Sequence, residues 1–362
     1  MVQATQPQVY ARRCALLCVA VTCCLLPACR SIGPRRVLAD RVSYADAISR
    51  TWKDEMLLNL VKLRYADAPL FLDISSVIAQ YSLEAQVNAG GQWPDISGHD
   101  SLALSGSGRW SDRPTITYVP LSGQRFTRSL LTPIPPASVV SLVQGGWAVD
   151  TVFRICVRGI NGVRAEARMR LTAQQEDPRF QPLLDALRRL QIRGLIGLRV
   201  EKHETGEVAL LSLPSDGDPD SQKDVEFVAR TLGLDAGVHD FTLGFGIRNR
   251  SGREIAMLTR SMTEVLTELA LDVQVPADHI ADGRTGDAVG GVGIARGSFK
   301  VQSGRERPPD AFAAIRYSDY WFWIDARDFR SKRSLSFLML LLSLAETGGG
   351  AVAPGLTVTT GH

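Results

Sequence analysis

Histidine is the residue type whose spacing most directly indicates metal or acid–base chemistry. The chain has five of them, His99, His203, His239, His279 and His362. None has a second histidine three or four positions away, where one helix face would present both to a metal ion. Beyond residues 1–29 the chain also lacks a paired-cysteine motif. The sequence therefore predicts no metal site and no cofactor.

Two candidate pairs of a histidine and an acidic residue are His203-Glu204 and His239-Asp240. If folding brought these pairs and Asp73 into one cleft, the protein would be a hydrolase or a glycan-binding protein. Each pair supplies too few groups locally for catalysis, so solvated surface pairs are the favoured interpretation. We therefore expect a non-enzymatic protein, with the hydrolase or glycan-binding protein as an alternative.

Three other patterns come near a binding motif. The aspartates of 216–220 alternate as at the start of a calcium loop, but Ser221 stands where that loop needs glycine and Phe227 where it needs glutamate. The glycines of 291–297 miss the dinucleotide-binding spacing and follow a predicted loop. The aromatic run within 317–323 could grip a glycan or peptide, but alternation along a strand favours a core role for at least one pair of its rings.

Cysteine is concentrated near the amino terminus, where all six cysteines except Cys156 fall within 14–29. Two arginines precede an uncharged run, 14–26, which as a helix would be only about 20 Å long against the roughly 30 Å of a bilayer core. A short basic region before a short apolar run is typical of a secretory signal peptide. The run ends in Leu26-Pro27-Ala28-Cys29, which is similar to the bacterial lipoprotein signal.

This pattern predicts that residues 1–28 are a signal peptide cleaved between Ala28 and Cys29, and that Cys29 carries lipid. Two or more acyl chains on Cys29 would hold the protein stably at a membrane. Arg30 instead of aspartate follows the cysteine. By resemblance to the sorted lipoproteins of double-membraned bacteria, this implies the outer membrane and a body that faces the periplasm. We expect as partners the membrane, through these chains, and other envelope proteins or further copies of this chain.

Charge gives no sign of a nucleic-acid partner. The 41 Lys and Arg residues nearly balance the 38 Asp and Glu residues, and no stretch concentrates basic charge as phosphate binding requires.

Composition and periodicity divide the rest of the chain into a lipidated tether (29–42), an N-terminal region (43–172), a C-terminal region (173–347) and a flexible tail (348–362). Both regions mix helical and strand patterns, which predicts an α+β fold of helices and antiparallel strands. A first helix is predicted from Ser43 and a buried final helix from Asp328 to Thr347.

The clearest strand pattern alternates over 77–88 and resumes over 101–110, with a glycine-rich turn region between. It predicts a long amphipathic β-hairpin, 77–110. At about 40 Å such strands would suffice for tilted outer-membrane strands, so an oligomeric secretion pore built from these hairpins is a second alternative. A hairpin that packs on the helices of its own domain is the favoured interpretation.

Several shorter elements follow from periodicity and from turn residues. The predicted helices are Pro136 to Gln144, Pro178 to Arg193, Asp220 or Ser221 to Leu232, and most of Glu254 to Asp272. The predicted strands are Thr115 to Val119, Thr151 to Val157, the hairpin Leu195 to Leu213, Phe241 to Ile247, Ala313 to Tyr317 and Tyr320 to Asp325. A turn at Ser318-Asp319 is predicted between the last two. Cys156 is expected to be a buried small hydrophobic residue and not a nucleophile.

Three segments carry a resemblance to a known family: 57–65 running into 71–73, the proline-rich 113–136, and 320–325 followed by 331–333. They resemble a family of uncharacterised proteobacterial lipoproteins, and the similarity would cover most of the mature chain. The resemblance implies a lipoprotein organised as a single unit, and the family brings no activity with it. The leading prediction is a lipid-anchored cell-envelope protein that is a structural or assembly component of an outer-membrane complex.

Overall fold

The structure, a computed structural model, describes residues 34–78, 81–92, 101–112, 115–167, 175–203, 206–214, 217–286 and 299–347. The predicted signal peptide, Cys29 and the predicted tail lie outside the described residues. The chain forms two compact units, 1–55 and 56–362. All sheets belong to the second unit.

The helices of the described chain are α1 (Pro34–Arg64), α2 (Gly123–Phe126), α3 (Pro136–Gln144), α4 (Val149–Cys156), α5 (Phe180–Ile192), α6 (Pro219–Leu232), α7 (Met262–Ala270), α8 (Ala277–Ala281) and α9 (Phe329–Thr347), with a π-helical turn at Thr127–Leu131. The strands are β1 (Leu72–Ile78), β2 (Tyr81–Gln92), β3 (Ser101–Asp112), β4 (Thr115–Pro120), β5 (Val157–Ile160), β6 (Val163–Arg164), β7 (Gly197–His203), β8 (Gly206–Ser212), β9 (Asp240–Phe245), β10 (Glu254–Thr259), β11 (Gln302–Gly304), β12 (Ala311–Tyr317) and β13 (Tyr320–Asp325). None of these helices has the length and apolarity that a bilayer-spanning helix needs.

The largest sheet has the strand order β6-β5-β10-β9-β8-β7, in which β9 and β10 are parallel and the other neighbours are antiparallel. A second, antiparallel sheet has the order β11-β13-β12. The fold is therefore α+β, with antiparallel and mixed sheets. The largest sheet also joins strands from the predicted N-terminal and C-terminal regions, since β5 and β6 precede residue 172.

Two further sheets have two strands each. β1 pairs with β4, from Leu72 opposite Pro120 to Ile78 opposite Thr115. β2 pairs with β3 along its whole length, from Tyr81 opposite Asp112 to Gln92 opposite Ser101. The alternation at 77–88 therefore does not form one strand, because its first two residues belong to β1. The segment that would connect β2 to β3 lies outside the described residues.

The predicted strand Thr151 to Val157 is wrong, because these residues form most of helix α4. Its β-branched and aromatic residues favour a strand locally, but the buried positions Val149, Val152, Phe153 and Cys156 recur at helical spacing. Only after Cys156 does the chain extend into β5. Cys156 itself is fully buried, and this burial raises the pKa of its thiol to about 12, so the prediction of a buried small hydrophobic residue is confirmed.

The predicted helix Glu254 to Asp272 is wrong in its first part, where β10 lies between β5 and β9. Ile255, Ala256 and Met257 are all buried in succession, as expected for a central strand covered on both faces. The helix α7 begins only after Ser261, whose Oγ accepts a hydrogen bond from the backbone amide of Glu264 at 3.2 Å. This bond is half of a capping box, a helix-start signal that apolar periodicity alone does not detect.

Other predicted boundaries move by smaller amounts. Helix α1 begins at Pro34, ahead of the predicted Ser43. Helix α6 is capped by Asp218 instead of Asp220 or Ser221, because the Asp218 carboxylate accepts from both of those backbone amides at 3.0 Å. Helix α3 has the predicted bounds. The predicted turn between β12 and β13 is confirmed, with Ser318 and Asp319 both at positive φ.

A hydrophobic core runs through the second unit and includes the buried faces of α5, α7 and α9. Its unusual member is Arg260, whose side chain is 0% exposed. Nη1 donates to the carbonyl oxygens of Arg154, Ile155 and Val157 at 2.7, 3.1 and 2.8 Å, and Nη2 donates to that of Glu166 at 2.8 Å. Arg260 therefore satisfies the buried carbonyl groups where α4 ends and β5 begins.

Candidate functional site

The predicted lipidation residue Cys29 and the cleavage residue Ala28 lie outside the described residues, as do His99, His362 and Glu204. Within the described chain, no group of three or more His, Cys, Asp or Glu residues is arranged to hold a metal ion. The candidates that can be placed are Asp73, His203, His239 and Asp240.

These four residues do not meet at one place. Asp73 lies in β1, in a different sheet from His203 on β7 and Asp240 on β9, and His239 directly precedes β9. In the largest sheet, His203 is opposite Gly206 at one end of β8, while Asp240 is opposite Ser212 at the other end. The length of β8 separates the two positions by about 20 Å. The arrangement expected of a hydrolase built from these residues is therefore not present among them.

Asp240 has local partners that account for it. Its carboxylate accepts a hydrogen bond from the Ser212 hydroxyl and lies 3.6 Å from a guanidinium nitrogen of Arg199. The hydrogen bond from Ser212, followed by the charge of Arg199, lowers the pKa of Asp240 below its usual value. An ionised, exposed carboxylate at a strand end, with His239 also exposed beside it, is a surface pair, as the favoured interpretation held.

Folding instead places His279 in a cluster of tyrosines, which we call the tyrosine–histidine cluster (Tyr65, Asp67, Asp278, His279, Arg284, Arg305, Tyr317 and Tyr320). His279 lies on the short helix α8 and is 2% exposed. The hydroxyl oxygen of Tyr65, which follows α1, lies 2.6 Å from Nδ1 of His279. On the other side of the ring, Nη1 of Arg284 lies 3.5 Å from Nε2. Burial raises the pKa of Tyr65 to about 12, so its phenol remains neutral.

The other tyrosines of the cluster bond to carboxylates. The Tyr317 hydroxyl donates to Asp67 at 3.1 Å, and the Tyr320 hydroxyl donates to Asp278 at 2.8 Å. The bond from Tyr320 lowers the pKa of Asp278. Arg305 donates to the Tyr320 hydroxyl at 3.1 Å and lies over its ring.

Aromatic contacts complete the tyrosine–histidine cluster. The rings of His279 and Tyr320 meet edge to face, with centroids 4.9 Å apart, and the Tyr65 ring meets Phe322 of the core at 6.1 Å. Beside them Arg64 donates to the Thr285 hydroxyl at 2.8 Å, and that hydroxyl donates back to the Arg64 carbonyl at 2.7 Å. Each residue of the tyrosine–histidine cluster thus has a polar contact within it. These contacts join the end of α1 to α8 and to the turn between β12 and β13.

The predicted aromatic run divides as the alternation indicated. Phe322 is fully buried, which confirms a core role on that face of β13, while Trp321 and Trp323 on the other face are half-buried. The guanidinium of Arg307 lies 5.4 Å from the centre of the Trp321 ring.

A cleft of about 190 Å³ is bordered by α4, the turn before it and α9. We call it the arginine cleft, and its lining is Trp147, Thr151, Ile155, Arg330, Arg333, Ser334 and Phe337. Trp147 and Phe337 form an apolar wall, with ring centroids 4.6 Å apart and an edge-to-face angle of 60°. The guanidinium of Arg333 lies over the Trp147 ring, 5.5 Å from its centre.

The chain around Trp147 is held by backbone and side-chain bonds. Gly146, at φ +95°, turns the chain after α3 into a conformation that side chains rarely adopt. The side-chain amide of Gln191, from α5, makes two bonds to this turn. Its Nε2 donates to the Trp147 carbonyl at 2.9 Å, and its Oε1 accepts from the Val149 backbone amide at 3.0 Å. The indole wall of the arginine cleft therefore stands on a turn whose backbone is fixed by α5.

Sequence reasoning missed both groupings. Tyr65 and His279 are separated by most of the chain, and the residues of the arginine cleft come from two distant segments. One half of the cleft has a local signal in the sequence, which is helical spacing. The predicted final helix places four lining residues three or four positions apart: Arg330, Arg333, Ser334 and Phe337.

No protein-family model, curated protein or solved structure matches this chain. The fold defines its class as α+β, and the resemblance to uncharacterised lipoproteins stays a prediction.

Proposed function

We propose that this chain is a lipid-anchored cell-envelope protein, attached to the outer membrane through Cys29 and facing the periplasm. The single observation that supports the anchor is the sequence Leu26-Pro27-Ala28-Cys29 at the end of a short uncharged run preceded by arginines. Acyl chains on the Cys29 thiol and amine would supply the membrane affinity, so no spanning helix is needed.

The anchor is tested by following processing of the full chain in a Gram-negative host. We expect globomycin, which inhibits the lipoprotein signal peptidase, to cause an unprocessed precursor to accumulate, and radiolabelled palmitate to enter the wild-type protein. The Cys29→Ala variant should take up no label, whereas Cys24→Ala, a matched change within the signal peptide, should be processed normally. Labelling of Cys29→Ala at the wild-type level would refute the anchor.

Within the envelope we propose a non-enzymatic structural or assembly role. This proposal is supported by the β2–β3 pair, which is a sheet of two strands with both outer edges unpaired among the described residues. Two-stranded sheets are marginally stable alone in water, and unpaired strand edges are templates for pairing with another chain. A further copy of this chain or another envelope protein would satisfy those edges.

The alternative of an oligomeric secretion pore draws on the same pair. β2 and β3 each extend about 40 Å, more than a tilted outer-membrane strand requires, although the structure starts the pair at Tyr81 and ends it at Asp112 instead of the predicted 77–110. Crosslinking and pull-down of the intact lipoprotein separate the two roles. A ring of identical subunits would favour the pore, and a different envelope protein would favour the assembly role. A monomer without crosslinked partners, unaffected by replacement of 81–112 with a short turn, would refute both.

A further inference from the structure

We propose that the arginine cleft binds a small organic anion, in which a carboxylate or phosphate group is joined to an aromatic or short aliphatic group. This inference does not depend on the membrane anchor, because it rests only on residues of the second compact unit.

The positive charge of the cleft is not matched by an acid within the described residues. Arg330 and Arg333 are both exposed and form no ion pair with a described carboxylate. The two acidic groups nearest in sequence are engaged elsewhere. Asp328 accepts from the amide and hydroxyl of Ser331, at 3.1 and 2.6 Å, and Asp150 lies 3.7 Å from Nε of Arg188.

The geometry of Arg333 suits an anion. A guanidinium that lies over an indole uses its face for that contact, which leaves its in-plane N–H groups available to carboxylate or phosphate oxygens. Arg330 precedes it by three residues on α9, so both side chains project from nearly the same face of the helix. Two guanidinium groups over one opening favour a ligand with at least two anionic oxygens.

The walls select for an apolar group beside the anion. Ile155 and Phe337 are buried at 5% and 1% exposure, and with Trp147 they make one side of the cleft apolar. The volume of about 190 Å³ is smaller than that of most drug-sized ligand pockets. A single ring or short chain fits this space, and Thr151 and Ser334 add hydroxyl groups to its lining.

The test is calorimetric titration of the full-length protein in detergent with four probes: phenyl phosphate, benzoate, inorganic phosphate and benzyl alcohol. We expect saturable binding of phenyl phosphate, benzoate or both, at least tenfold tighter than inorganic phosphate, which lacks the ring, and benzyl alcohol, which lacks the charge. The preference between the two organic anions identifies the anionic group. Affinity should fall with added salt because the attraction is electrostatic.

Variants then locate the binding. Arg330→Ala and Arg333→Ala should each weaken binding about tenfold or more, as loss of a charge-assisted hydrogen bond predicts. Arg333→Lys should also weaken it, because lysine keeps the charge and loses the planar fork. Arg327→Ala, an exposed arginine that does not line the cleft, is the matched control and should leave binding unchanged.

Circular dichroism should show all four variants folded, since the altered side chains are exposed. Absence of saturable binding of both organic anions to the wild-type protein would overturn the proposal. So would equal binding by the wild-type protein and the Arg330→Ala/Arg333→Ala double variant.

Discussion

Replacing Arg260 tests whether its buried guanidinium stabilises the fold through the main-chain carbonyls around it. The Arg260→Leu variant keeps much of the apolar volume but removes the guanidinium that donates to the carbonyls of Arg154, Ile155, Val157 and Glu166. These acceptors are main-chain groups, so they remain after the substitution and lose their partner in a region from which water is excluded.

The expected cost follows from those contacts. A buried polar group left without a partner costs about 1–3 kcal/mol, and breaking a buried charged network typically costs about 3–5 kcal/mol. Burial by itself disfavours the charged arginine and lowers its pKa, while Glu264, with Oε1 at 3.7 Å from Nε, opposes this. We therefore expect Arg260→Leu to lower the free energy of unfolding by about 3–5 kcal/mol. Arg260→Lys should lower it by less, about 1–3 kcal/mol, because one ammonium can reach only part of the carbonyl set.

Urea unfolding followed by circular dichroism measures these changes. With an m-value of about 2–3 kcal/mol/M, the midpoint of Arg260→Leu should fall by about 1–2.5 M. The control is Arg248→Ala, an exposed arginine whose replacement should change stability by no more than about 0.5 kcal/mol. If Arg260→Leu unfolded within about 0.5 kcal/mol of that control, the bonds to α4 and β5 would not stabilise the fold as argued.

Three further changes probe the fold and the tyrosine–histidine cluster. The pKa of Tyr65 is about 12 in the folded protein and about 10 in the unfolded chain. The neutral phenol therefore stabilises the fold fully below pH 10, and this part of the free energy of unfolding is lost as the pH rises from 10 to 12. Urea unfolding between pH 9 and 11.5 should therefore show a steeper loss of stability in the wild-type protein than in Tyr65→Phe, with the exposed Tyr118→Phe behaving as wild type. Asn161, at φ +45°, accepts from the Ala256 amide and donates to the Leu232 carbonyl, both at 2.7 Å. Asn161→Ala and Asn161→Gly lose the same bonds, so the alanine variant should be less stable by about 1 kcal/mol, the cost of the left-handed backbone, and equal stability would contradict this. Ser261→Ala should lower the free energy of unfolding by about 1 kcal/mol through loss of the α7 cap, and a thermal midpoint equal to that of the wild-type protein would count against the cap.

The parts of the fold that the sequence predicts are those whose information is local. Helix α3 begins at a proline and ends at glycines, and the β12–β13 turn lies between two apolar alternations, so both are found from a short window. Short apolar runs fit both a strand and a helix. For this reason Thr151 to Val157 is predicted as a strand but lies mostly in a helix, and Glu254 to Thr259 is predicted as a helix but forms a strand. In β10 the surrounding strands decide the structure, and they come from elsewhere in the chain.

The candidate sites depend on contacts that no window contains. Tyr65 meets His279, and Trp147 meets Phe337, only because folding brings the end of α1 beside α8 and the α3–α4 turn beside α9. By spacing His203 and Asp240 are better candidates, yet the strand register places them near opposite ends of β8. Spacing identifies residues that one element presents together, whereas a cleft between elements follows from packing.

Membrane attachment and anion binding should be separable, because they depend on different parts of the chain. Cys29→Ala removes the proposed acyl chains and leaves the arginine cleft untouched, so its affinity for phenyl phosphate or benzoate should equal that of the wild-type protein. The Arg330→Ala/Arg333→Ala variant should in turn be processed and labelled with palmitate as the wild-type protein is, since processing acts on residues 26–29. Calorimetric titration measures the affinity of Cys29→Ala, and palmitate labelling measures the processing of the double variant. If loss of the anchor abolished anion binding by folded protein, the binding measured in detergent would belong to the lipid or to the micelle, and the cleft residues would not be its cause.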